Sequence, residues 1–131
     1  MTETGYKRMF FIGALWNLVG GAFIVLATPW VFHTAGLAPP SPPLYYYAWI
    51  ALFMTFGIGY YLVSRDLYRN RDIALSGAIG KLAFAVVFIW NFIAYAGQVP
   101  RFFLVPVAGD LVFVVLFVMF LRFARGRTGQ P

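Results

Sequence analysis

The chain contains no cysteine, a single histidine (His33) and only four acidic residues in 131. Without thiols there can be no disulfide framework, iron–sulfur cluster or thiolate zinc site. One histidine excludes bis-histidine haem ligation and a zinc site built on several histidines within one chain. Charge of either sign is scarce, at 11% of residues, whereas soluble domains carry about 25%. So few charges cannot cover a water-facing surface. A soluble enzyme, a disordered chain and a nucleic-acid module are therefore excluded.

What is abundant is apolar: 62% hydrophobic residues, 21% aromatic, and a mean hydropathy of +0.79. A helix needs about 20 apolar residues to cross a hydrocarbon core near 30 Å thick. Four runs meet that length, at about 9–27, 45–64, 73–96 and 102–121. The sequence thus predicts one all-α domain over residues 1–131, an integral membrane four-helix bundle. The first run exceeds the 7–15 apolar residues of a signal peptide and lacks a small-residue cleavage site, so it reads as a retained helix.

The net charge of +6 would suit a nucleic-acid binder only if the cations lined one face. Instead they sit in short clusters between the apolar runs, the pattern that orients membrane proteins. Lys7, Arg8, Arg65, Arg69, Arg71, Arg122, Arg125 and Arg127 fall on one side, Arg101 on the other, and Lys81 inside a span. Both termini and the 65–72 connection are expected to be cytoplasmic. Arg65, Arg69 and Arg71 would meet lipid headgroups there. Trp30, Tyr45, Tyr46, Tyr47 and Trp49 would form the opposite aromatic belt. The proline-rich outer loop 33–44 should be extended. The short connection 97–101 should make helices three and four antiparallel neighbours. The tail 128–131 is expected to fray.

Helix one reads Gly13-Ala14-Leu15-Trp16-Asn17-Leu18 and helix three Gly77-Ala78-Ile79-Gly80-Lys81-Leu82. Three identities suit either a parallel repeat of two hairpins or chance likeness between apolar segments. The repeat would place Asn17 and Lys81 at one depth.

Polar groups in hydrocarbon are costly and turn toward the bundle interior. Small residues four positions either side let backbones approach: Gly13-x3-Asn17-x3-Gly21, Ala51-x3-Thr55-x3-Gly59 and Gly77-x3-Lys81-x3-Ala85. Asn17 and Thr55 therefore read as interhelical hydrogen-bonding groups. Lys81 lies about 12 Å from the cytoplasmic start of its helix, and Asp110 about 18 Å from that side if helix four begins at Phe102. A lysine stem spans that offset, and pairing would remove both charge penalties. Against the pair, the Cα–Cβ bonds tilt the two side chains apart. If helix four instead starts at Pro106, Asp110 rises to within reach of Arg101, Asn91 or His33, and Lys81 snorkels to the headgroups.

The elements Trp16-Asn17, Pro29, Gly36, Gly57-Ile58-Gly59-Tyr60, Gly80-Lys81 and Gly109-Asp110 resemble small bacterial four-helix membrane proteins, loosely DoxX-like. The resemblance implies a protein of a bacterial inner membrane, a membrane subunit associated with a quinone-linked oxidoreductase, and carries over no catalytic residue.

No nucleophile–base–acid set is visible, and no metal or cofactor is implied by the residues. The expected function is a non-catalytic accessory subunit or a binder of a lipid- or quinone-like molecule, its 15 Phe and 8 Tyr available to line an apolar cavity. The alternatives are an oligomeric small-solute or proton-coupled transporter using Lys81 and Asp110, and a membrane subunit of an oxidoreductase. Expected partners are membrane lipid, and further copies or a larger membrane complex.

Overall fold

The structure, a computed structural model, describes residues 1–126; the orienting Arg127 and the tail 128–131 lie outside them. Four helices follow one another: α1 (Glu3–Thr34), α2 (Leu44–Arg65), α3 (Arg71–Ala94) and α4 (Leu104–Arg125), the last preceded by a 3-10 turn, Arg101–Phe103. All four are long and apolar enough to cross a membrane. Leu26, Trp90 and Ile93 are among many large apolar side chains left exposed. Such a surface suits lipid contact and not water.

α1 outruns its expected span at both ends. Thr2 caps it, its hydroxyl accepting from the Gly5 amide at 3.2 Å. At the other end it passes through Pro29 and ends only at Thr34. Pro29 lacks an amide proton, which leaves one carbonyl of the preceding turn unbonded. That carbonyl is Val25's; the flanking threonines bond elsewhere, Thr28 donating to the Ile24 carbonyl at 2.8 Å and Thr34 to the Trp30 carbonyl at 2.7 Å. The stop comes at Gly36, whose φ of +66° only glycine adopts readily. The Leu37 amide then closes back on the Phe32 carbonyl at 3.0 Å. His33 therefore sits in the last turn of α1 and not in the loop.

α4 begins at neither expected residue. The 3-10 turn starts one position before Phe102, and the α-helix proper starts at Leu104. Pro106 then falls in the first turn, where its missing amide is harmless.

Backbones pack most closely within the hairpins α1–α2 and α3–α4, as the short 97–101 connection requires. Between hairpins, bulky aromatics make the join. Gly13 on α1 receives the Phe113 ring of α4, and Gly77 on α3 receives the Tyr60 ring of α2. A two-fold relation between hairpins would generate this reciprocity. Two apolar clusters result. One, around Phe10, Tyr60, Phe117 and Phe120, lies toward the end that carries both helix-chain termini and the 66–70 connection. The other, around Ile24, Ile50, Phe88 and Phe103, lies toward the opposite end, which carries the proline-rich loop and Arg101. We call these the termini end and the loop end.

Candidate functional site

Between the two clusters the apolar packing is interrupted by three buried polar side chains, Asn17, Lys81 and Asp110, each under 5% exposed. Each comes from a different helix. Asn17 lies between Gly13 and Gly21 on the inward face of α1, and all three are buried. Its amide donates to the Phe53 carbonyl of α2 at 2.7 Å. That carbonyl already serves the α2 ladder, so it accepts twice. The amide oxygen of Asn17 accepts from Lys81 Nζ at 3.1 Å. Lys81 Nζ also donates to Asp110 Oδ1 at 2.5 Å. One connected network thus ties all four helices together.

The pair forms despite the opposed tilt of the two side chains. Ten residues from Arg71 put Lys81 about 15 Å from the termini end, and fifteen before Arg125 put Asp110 about 22 Å from it. The four-carbon stem covers the difference by extending toward the loop end. Snorkelling, the alternative for Lys81, would have sent it the other way. Asp110 does not meet Arg101, Asn91 or His33. Because α4 starts at Leu104 it lies two turns inside the helix, out of their reach.

Three rings surround the ammonium: Phe53, Tyr60 and Phe113, with centroids 5.4, 5.5 and 5.4 Å from Nζ. Ring faces attract a cation, and more strongly where water is excluded. None of the three was a candidate from sequence. Their signal was spacing: Phe53 and Tyr60 flank Gly57 on one face of α2, and Phe113 is one turn beyond Asp110. Trp16 is a fourth missed neighbour. Its indole covers Gly109, and its buried Nε1 lies beside the Asp110 carboxylate without a hydrogen bond of good geometry among the described residues.

The other candidates fare differently. Thr55 is not an interhelical group. It is exposed, and its hydroxyl donates to its own helix at the Ala51 carbonyl, 2.9 Å away. The buried face of α2 runs through Ile50, Phe53, Gly57 and Tyr60, about 180° away from the Ala51–Thr55–Gly59 stripe. Asn91 likewise donates to its own helix, at the Val87 carbonyl. His33 and Arg101 lie exposed at the loop end, and Arg65 and Arg69 exposed at the termini end. Arg71 is half-buried, 3.8 Å from Asp72. Asp66 and Asn70 shape that connection, Asp66 by accepting from the Tyr68 and Arg69 amides.

A cleft opens onto the polar network. α2 and α3 diverge, and the cleft between them, about 110 Å³, reaches Asn17, Lys81 and Asp110 at its floor. Phe56, Tyr60, Trp49 and Phe84 form its walls. Trp49 and Phe84 stack across it, 5.2 Å apart and 12° from parallel. Gly77 and Gly80 leave its α3 side low. Chemically the floor offers ammonium hydrogens and carboxylate oxygens in an aromatic enclosure, which suits a small polar head on an apolar body. Among the described residues no group of three His, Cys, Asp or Glu side chains converges to hold a metal.

No family model, curated protein or solved structure matches this chain.

Proposed function

We propose that this protein spans a bacterial plasma membrane four times, with both termini cytoplasmic, and binds a quinone-like apolar molecule without transforming it. The observation that carries the reading is the α2–α3 cleft. It is the place where an aromatic-walled cavity meets the buried Asn17–Lys81–Asp110 network. It opens sideways, toward the surface that the exposed apolar residues mark as lipid-facing. A planar head could enter between Phe56 and Phe84 and accept a hydrogen bond from the Lys81 ammonium, with its tail left in lipid. The DoxX-like resemblance, with its quinone-linked association, supports the same class of molecule. Arg65, Arg69 and Arg71 would rest on anionic headgroups.

The test uses protein purified in mild detergent, native mass spectrometry, and a benzoquinone with a ten-carbon tail as probe. Gly80→Leu is the informative variant. A Cβ there meets nothing nearer than 3.7 Å, so the side chain fills the cleft without disturbing the fold. The expected result is retention of the quinone by the native chain and its loss in Gly80→Leu. Equal retention by both would overturn the proposal.

A second reading rests on the ionisable character of Lys81 and Asp110 at that same floor: proton-coupled transport by an oligomer. The same spectra report the number of copies. Flux in proteoliposomes that depends on pH and fails in Asp110→Asn would favour it.

A further inference from the structure

A second, separate recess lies at the loop end, and it is built around a cation with no partner. The Arg101 side chain makes no ion pair or hydrogen bond among the described residues. No acid is within reach of it. Glu3, Asp66 and Asp72 lie at the termini end, and Asp110 is committed to Lys81. The guanidinium borders a recess of about 280 Å³ between the end of α1 and the 97–102 segment, with Trp30, Thr34 and Phe102 around it. The Thr34 hydroxyl donates to Trp30, and its oxygen remains able to accept. Helix α4 begins three residues after Arg101 with no acidic residue in its first turn, so its positive dipole end near Arg101 is uncompensated.

Phe102 is also part of the wall of a second cavity, about 650 Å³, which runs down the lipid-facing seam between α1 and α4. Ile12, Leu15, Val19 and Phe23 line it on α1. From Ile24 to Ile12 the seam is about 18 Å long at 1.5 Å per residue. That is close to one leaflet of a hydrocarbon core about 30 Å thick. Gly20 keeps it deep: a Cβ there would meet nothing nearer than Phe53, at 3.9 Å.

We infer that Arg101 and the α1–α4 seam form a site for one anionic phospholipid, its phosphate on the guanidinium and one acyl chain along the seam. An isolated cation at a membrane interface attracts anionic headgroups, and a guanidinium offers two parallel N–H donors to a phosphate. The apolar seam below accounts for the chain, which a free phosphate would leave unused. The inference rests on the membrane embedding proposed above and is independent of the α2–α3 cleft.

The test is native mass spectrometry in mild detergent with phosphatidylglycerol and phosphatidylcholine of equal chain length, and with inorganic phosphate as competitor. The native chain is expected to retain phosphatidylglycerol about fivefold better, the ratio one basic side chain provides near an anionic headgroup. R101Q should abolish the preference, R101K should keep most of it, and Gly20→Leu should reduce retention of both lipids. Gly80→Leu should change neither. The inference fails if R101Q keeps the preference, if Gly20→Leu retains lipid like the native chain, or if inorganic phosphate displaces the lipid. These ratios are read in detergent. A wrong orientation in the membrane would show in labelling and leave them unmoved.

Discussion

The indole of Trp16 occupies the space that a side chain at Gly109 would need. A Cβ on Gly109 would clash with the ring, nearest to Cζ2 and 2.9 Å from both Cε2 and Cη2. The contact sets the approach of α1 to α4 beside Asp110, and it makes the first prediction.

Gly109→Ala should destabilise the bundle by about 1–3 kcal/mol, because the ring is large and held between helices. Gly20→Ala, where space is open, should be near neutral. Unfolding midpoints in denaturant from detergent micelles compare the two. Equal midpoints would refute the close packing of Trp16.

Lys81 and Asp110 should depend on each other. Removing one charge leaves the other buried and unpaired, at a cost of about 3–5 kcal/mol. Lys81→Met and Asp110→Leu are each expected to be severe, and the double variant much milder than their sum. Additive losses in a double-mutant cycle would show that the two side chains do not act as a pair.

Asn17 and Thr55 should separate cleanly, although they look alike in sequence. Asn17→Leu removes two interhelical hydrogen bonds, worth about 1–2 kcal/mol in an apolar setting. Thr55→Ala removes only a bond within α2 and should stay within about 0.5 kcal/mol of the native chain. Matched unfolding curves settle the ordering.

Orientation is checked by single cysteines, introduced into a chain that has none. Lys7→Cys and Arg69→Cys should react with an impermeant reagent from one side of sealed vesicles, and Arg101→Cys from the other. Labelling of position 7 and position 69 from opposite sides would contradict the four-span reading.

Hydropathy and charge alone were enough for the number of helices, their approximate limits and the relative placement of the cation clusters. Those properties follow from segment length and composition, which do not depend on how helices pack. The small residues around Asn17 and Lys81 also marked their buried faces correctly. The same rule misplaced Thr55, because on α2 the large residues Ile50, Phe53 and Tyr60 claim the interior and turn Thr55 outward. The extension of α1 through Pro29 was hidden for a related reason. A proline reads as a stop, and it is the burial of Val31 and Phe32 beyond it that makes continuation stable.

Whether Lys81 meets Asp110 was undecided by sequence and belongs to tertiary structure. It turns on the starting residue of α4 and on which rotamer a long stem adopts, and neither is a local property. The cage of Phe53, Tyr60 and Phe113, the cleft between α2 and α3 and the seam beneath Arg101 are of the same kind. Each exists only where separate helices converge, so the distances that define it are set by packing across the whole bundle.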